Sequence, residues 1–284
     1  MIGGLIGEIA GNRNSLEKKI GFHLPLIPHE SVVGKDTYVT LSLFKYFIES
    51  VSLSAALSNN SDVIRSLLPK ENTGSFCTPD DGALVKFASV IGWMETEESK
   101  VIKQSKLLTE HFSSSPRCIA WTQAVALSIF LSKNGVDVAT IYKELRELTF
   151  DDFVYNFSGL RKQRSIVASN QIPIAICCAL EAKSFEEAIR NCFMVGTDLP
   201  VMCFVAGTIA ESRYGVSSEL WLPALNPLLL NQEHVYFDIA KFYQKIGLIK
   251  GNVSYSDNLI NCINYCLVRK PSRFERALWK ILRK

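Results

Sequence analysis

Apolar residues recur at helical spacing along most of this chain. Four long segments carry them at intervals of three and four residues, whereas the strict alternation that is typical of strands is scarce. Parts of the last two segments, IAICCAL and VMCFVAG, are apolar on every side, which is typical of helices in the middle of a large bundle. The pattern therefore predicts an all-α fold. The four segments cover residues 39–57, 121–135, 171–196 and 201–215.

Three glycines repeat every four residues in the opening segment MIGGLIGEIAG, at Gly3, Gly7 and Gly11. They share one face if the segment is helical. Because glycine weakens a helix, such a stripe indicates a place where another backbone approaches closely. We therefore predict that a neighbouring element packs tightly against this face.

Local signals mark where the predicted helices begin and end. Asn134-Gly135 and Tyr214-Gly215 are typical helix stops. Ser184, with Glu187 three residues later, is a capping box that begins a helix. Clusters of small and polar residues predict two loops, at Thr73–Gly82 and Ser113–Pro116.

Composition and charge limit the class of protein. The 284 residues are 48% hydrophobic and 21% charged, which suits a globular protein with a sizeable core. No apolar run reaches the length of a membrane span, and Glu8 makes the opening segment a poor signal peptide. The net charge of +3 is uneven: residues 269–284 hold seven basic residues and one acid, or +6, which leaves −3 for residues 1–268. We therefore expect one compact many-helix domain over 1–268, a basic amphipathic helix over 269–284, and no nucleic-acid partner.

The basic C-terminal segment has two interpretations. It can attract phosphates, an acidic protein partner or a membrane surface through its charge. Alternatively, its apolar stripe docks on the domain and leaves the basic face in solvent. The stripe consists of Phe274, Leu278, Ile281 and Leu282.

Eight cysteines are present, and no two form a CxxC pair, so neither a zinc site nor a redox dithiol is indicated. Most lie in apolar segments, where free cysteine behaves as a small hydrophobic residue. This favours a reducing compartment, the cytoplasm, although a secreted effector stays an alternative.

Candidate chemistry is confined to short polar turns and one helical carboxylate. Carboxylates in such turns can cap the following helix. The four histidines do not cluster, and no nucleophile elbow, P-loop or dinucleotide motif is present. The candidates are Glu8 and the turns Gly34-Lys35-Asp36-Thr37, Asp80-Asp81-Gly82 and Gly196-Thr197-Asp198.

The order of these segments resembles the ADP-ribosylglycohydrolase family, of the dinitrogenase-reductase-activating type, over roughly residues 1–220. The opening segment is similar to the family's M-x-G-A-I-x-G-D-x-x-G, and SVIGW is similar to its S-P-V-G-W. The helix QAVALSIFLSKNG matches the helix after the family's T-H-x-H-P-E-G loop. The most specific likeness runs from IPIAICCALEAKSFEEAIRN through GTDLPVMCFVAGTIAESRYG. The resemblance implies an all-α hydrolase scaffold.

The same resemblance implies two magnesium ions held between a T-D-D-T turn and a D-x-D-T turn, and here the likeness fails. In the first turn Gly34 and Lys35 replace the leading Thr and Asp. In the second turn Pro200 and Val201 replace the second Asp and the Thr. Hard dications need several converging oxygens. We therefore expect no tight magnesium site. Of the ligand set, the resemblance leaves Asp36, Thr37 and Asp198.

Other positions of the family's site are also changed. The opening Asp is Glu8, and the serine of the family's S-V-P is Gln171. The G-N-G-x-x-M-R loop is placed at Asp81–Phe87, with Phe87 for its arginine. The T-H-N-H-P-E-G loop corresponds to Phe112–Cys118 and keeps only Pro116.

These changes lead to one main expectation and two alternatives. We expect a degenerate glycohydrolase-like protein, without magnesium-dependent hydrolysis, whose cleft binds ADP-ribose, an ADP-ribosylated protein or a protein partner. Lys35 is predicted to pair with Asp36 and Asp198 in place of the ions. One alternative is an active hydrolase with metal-independent chemistry, for which Glu8, Asp36 and Asp198 are the catalytic candidates; another is a purely structural or regulatory partner. The expected ligand-binding residues are Lys35, Asp36, Thr37, Asp80, Asp81, Gly196, Thr197 and Asp198.

Overall fold

The computed structural model describes residues 2–17, 26–27, 49, 82–149, 157–160, 171–195, 199–217, 220, 224 and 241–246. Within these ranges the regular elements are helices and no strand occurs, which confirms the predicted all-α fold. Their bounds are α1 Ile2–Glu17, α2 Gly82–Met94, α3 Glu98–Phe112, α4 Pro116–Lys133, α5 Val138–Leu148, α6 Phe157–Leu160, α7 Gln171–Leu180, α8 Phe185–Val195 and α9 Leu199–Tyr214.

Four of the helices, α2, α4, α7 and α9, finish at the same end of the bundle. The Lys133 ammonium, at the end of α4, donates to the carbonyl of Trp93 near the end of α2 at 2.7 Å. At the end of α9, Arg213 donates to the carbonyl of Val136, just after α4, and the Tyr214 hydroxyl donates to that of Ala182, just after α7. The four helices therefore run in the same direction, and we call the end at which they begin the helix-start end.

The antiparallel pair of α1 and α9 is joined by direct backbone contact. A Cβ placed on Gly7 would lie 1.9 Å from the Cys203 carbonyl oxygen, and one on Gly3 would lie 2.5 Å from that of Gly207. Farther along α1, a Cβ on Gly11 would lie 2.5 Å from the carbonyl oxygen of Leu199. Such distances admit no side chain, so the glycine stripe is the surface that α9 covers, as the sequence predicted.

The beginning of α1 is held by a buried carboxylate of α9. The first N–H groups of a helix have no partner within it, and a negative charge there is favourable. Here the N–H of Gly3 donates to Glu211 Oε2 at 2.8 Å, and the N–H of Ile2 donates to the Tyr243 hydroxyl at 2.9 Å. The Tyr243 hydroxyl in turn donates to Glu211 Oε1. Glu211 therefore fixes where α1 begins against α9.

Removing the Tyr243 hydroxyl tests this cap. In Tyr243→Phe the Ile2 N–H and Glu211 Oε1 each lose a buried partner, so we expect the free energy of unfolding to fall by about 1–3 kcal/mol. Tyr142→Phe is the control, since the Tyr142 hydroxyl donates to the half-buried Glu181 at 2.9 Å, where water can replace it. Urea denaturation of both variants gives the comparison. Equal losses in the two variants would contradict the cap.

Most predicted helix ends lie where the sequence signals place them. α4 ends at Lys133 and α9 at Tyr214, and the following Gly135 and Gly215 have φ of 74° and 70°. The Ser184 hydroxyl accepts from the N–H of Glu187 at 3.1 Å, so this half of the predicted capping box is confirmed. The Glu187 carboxylate accepts from the N–H of Lys183 at 2.9 Å, one residue before the expected partner.

The predictions on the cysteines and on membrane spans can be compared with the structure, whereas those on one loop and on the C-terminal segment fall outside the described residues. The described cysteines are free and buried, and burial raises the pKa of the Cys177 and Cys178 thiols, so these two thiols are neutral. In the part of the chain that is placed, no helix is long and apolar enough to cross a bilayer. The loop residues 73–81 and the basic segment 269–284 lie outside the described residues.

Candidate functional site

Two of the candidate turns directly precede helices that begin at the helix-start end. Gly196-Thr197-Asp198 directly precedes Leu199, the first residue of α9, and Asp80-Asp81 directly precedes Gly82, the first residue of α2. Lys35, Asp36, Thr37, Asp80, Asp81, Gly196, Thr197 and Asp198 themselves lie outside the described residues. The predicted pairing of Lys35 with Asp36 and Asp198 therefore stays a prediction, and Glu8 is the candidate whose surroundings can be described.

Glu8 forms a buried ion pair with Lys86. The Lys86 Nζ atom lies 3.2 Å from Glu8 Oε1, and the two side chains are 1% and 2% exposed. The same ammonium lies 5.3 Å from the centroid of the Phe204 ring, which is fully buried. The pair thus joins α1 to α2 above an aromatic side chain of α9.

The local sequence forces both charges inward. Glu8 follows Gly7, whose backbone touches α9, so α1 cannot turn this carboxylate toward solvent without losing that contact. Lys86 is the one charged residue of the helix GALVKFASVIGWM, in which residues 84–93 are all buried. A buried charge costs several kcal/mol unless an opposite charge compensates it. Each of the two charges therefore requires the other.

Lys86 is a buried charged residue that the sequence analysis did not single out, and it suggests a second register for the G-N-G-x-x-M-R motif. Phe87, which was placed at the arginine of G-N-G-x-x-M-R, is a core residue with its ring 6.5 Å from that of Phe112. When Gly82 is taken as the second glycine of the motif, the arginine position falls on Lys86 instead. The available signal was a single lysine within a long apolar segment.

The loop before α4 uses its serines for its own structure. The Ser115 hydroxyl accepts from the N–H of Cys118 at 3.5 Å and caps α4, and the Ser113 hydroxyl accepts from the N–H of Ser115 at 3.2 Å. Pro116 is the first residue of the helix, where its missing N–H is tolerated. These two hydroxyls therefore shape the loop and the helix start.

The described residues next to the candidate turns offer few oxygen ligands for magnesium. The carboxylate of Glu8, at the position of the family's opening Asp, faces the Lys86 ammonium at 3.2 Å, so its charge is compensated without a metal ion. At the start of α9, Leu199, Pro200 and Val201 carry no side-chain oxygen. Magnesium requires near-octahedral oxygen coordination, which these groups cannot supply.

Comparisons with known proteins agree with this fold. The family model for ADP-ribosylglycohydrolase matches residues 33–247, well over half of the chain, and begins after α1. A solved structure described as an "ADP-ribosylglycohydrolase-related protein complex" superposes with a TM-score of 0.51, covering 86% of this chain and 96% of that one. At 14% identity this likeness shows the fold alone. No curated protein matches the chain.

Proposed function

This chain belongs to the ADP-ribosylglycohydrolase family, and we propose that it binds ADP-ribose, free or attached to a protein side chain, without hydrolysing the linkage through magnesium. The ligand lies at the helix-start end in this proposal. The observation that supports the loss of magnesium chemistry is the buried ion pair of Glu8 with Lys86.

The helix-start end supports binding of an anionic ligand. A helix N-terminus carries a partial positive charge and N–H groups without partners inside the helix, so it attracts phosphate. Four helices of ten residues or more, α2, α4, α7 and α9, begin at this end. ADP-ribose presents two adjacent phosphates, and several such helix starts can share that charge.

The ion pair supports the loss of metal chemistry. Two unit charges about 4 Å apart interact by roughly 4 kcal/mol at an effective dielectric constant near 20. The Lys86 ammonium would therefore repel a dication held beside Glu8 by about twice that amount. The replacements Lys35, Pro200 and Val201 remove further ligands of the implied ions.

Binding is tested by titrating the full chain with ADP-ribose in a calorimeter, once with magnesium and once with EDTA. We expect saturable binding with the same affinity in both buffers, because no ion bridges protein and ligand. Binding that requires magnesium would contradict the proposal.

Hydrolysis is tested in parallel on a peptide carrying ADP-ribosylated arginine. We expect no release of ADP-ribose above the rate without protein, in either buffer. Release that survives EDTA would instead support metal-independent catalysis by the surviving carboxylates. Failure to bind ADP-ribose, together with capture of a protein partner, would support the regulatory alternative.

A further inference from the structure

A buried amide at the helix-start end has an acceptor atom that the protein does not use. Gln171 is the first residue of α7 and is 6% exposed. Its side-chain oxygen, Oε1, is buried and has no hydrogen-bond partner in the described structure. Buried polar atoms almost always have a partner, so this oxygen calls for an explanation.

The side chain of Gln171 leads toward the helix-start end. Every Cα–Cβ bond of a helix tilts toward its N-terminus, and Gln171 is the first residue of α7. The residue after it, Ile172, is fully buried, so the amide lies at the edge of the core where α7 begins. Gln171 thus belongs to the first turn of α7, where a helix favours an anion.

A buried glutamine of the neighbouring helix α4 shows how a buried amide usually finds a hydrogen-bond partner. Gln123 of α4 is 7% exposed, but its side-chain NH₂ donates to the Ile102 carbonyl of α3 at 3.0 Å. Its amide is thus part of the α3–α4 packing. No comparable hydrogen bond to the Gln171 oxygen exists among the described residues.

An amide oxygen can only accept a hydrogen bond, so its partner must be a donor. The start of the helix beside it favours a ligand with negative charge. A ligand with hydroxyl groups next to phosphates meets both requirements. We propose that Gln171 Oε1 accepts a hydrogen bond from a ribose hydroxyl of ADP-ribose and thereby positions that ribose. This inference rests on the proposed function, which names the ligand.

The experiment compares Gln171→Met with Gln123→Met in the full chain. Calorimetric titration with ADP-ribose is expected to give about fivefold to tenfold weaker binding for Gln171→Met, the loss of one hydrogen bond, and unchanged binding for Gln123→Met. Without ligand, Gln171→Met is expected to melt about 2 °C higher, because an unpartnered buried acceptor is removed. Gln123→Met is expected to melt lower.

Weaker ADP-ribose binding together with a higher melting temperature indicates that Gln171 positions a ligand rather than stabilising the fold. If Gln171→Met melts lower and binds ADP-ribose normally, the oxygen has a structural partner and the inference is wrong. A titration with ADP shows which ribose makes the contact. If Gln171→Met weakens binding of ADP-ribose but not of ADP, the contact is with the terminal ribose. If it weakens binding of both ligands, the contact is with the adenosine ribose. A wild-type chain that binds no ADP-ribose overturns the proposed function and this inference together. Normal wild-type binding that the variant retains overturns the inference alone.

Discussion

Replacing Gly7 with alanine is expected to lower the free energy of unfolding by about 3 kcal/mol, because the new methyl group has no room. Its Cβ would lie 1.9 Å from the carbonyl oxygen and 2.6 Å from the carbonyl carbon of Cys203, and both atoms belong to the backbone of α9. Relief requires the two helices to separate, which loosens the contacts at Gly3 and Gly11 as well. The gain of about 1 kcal/mol from alanine's higher helix propensity offsets only part of this cost.

The matched control is Gly4→Ala, on the same helix and with the same gain in propensity. A Cβ on Gly4 would lie 3.0 Å from the Phe204 ring, which is a side chain rather than backbone. We expect this variant to unfold within about 1 kcal/mol of wild type. Guanidinium denaturation measures both, and a Gly7→Ala variant as stable as Gly4→Ala would show that α1 does not touch the α9 backbone.

Replacing Lys86 with methionine is expected to cost about 3–5 kcal/mol, because it leaves the Glu8 carboxylate buried without its counter-charge. The control is Lys100→Met, which breaks an ion pair with Glu97 of 2.8 Å whose side chains are 52% and 58% exposed. That loss should stay below about 1 kcal/mol. Chemical denaturation of the two variants therefore compares the same substitution in two environments.

A double-mutant cycle separates the interaction energy of the two charges from the packing energy of their aliphatic side-chain atoms. We expect Glu8→Leu combined with Lys86→Met to be more stable than the sum of the single losses implies, since no charge is left uncompensated. Strictly additive losses, or a Lys86→Met variant no less stable than Lys100→Met, would contradict the buried ion pair.

Much of the fold could be predicted because it follows from local patterns. The spacing of apolar residues predicted the helices. The stripe of Gly3, Gly7 and Gly11 predicted a close helix contact, because residues four apart lie on the same face of a helix. Turn signals such as Gly135 fixed helix ends through a positive φ that glycine adopts at little cost.

The site was harder to predict because its partners are distant in the sequence. Lys86 and Glu8 lie on different helices, and nothing in either segment indicates the other. Glu211 was missed for the same reason, since it caps a helix that begins more than 200 residues earlier. Such pairs depend on how helices pack, which composition and periodicity do not specify.

We propose that the chain has lost its family's magnesium site, since Lys86 compensates Glu8 and the replacements Lys35, Pro200 and Val201 remove implied ligands. Titration of the full chain with Mn²⁺, followed by the electron paramagnetic resonance signal of the free ion, tests this most directly. We expect the free-ion signal to match that of buffer at every step, with ADP-ribose present or absent. Loss of signal corresponding to one or two tightly held ions per chain, reversed by excess Mg²⁺, would contradict the claim.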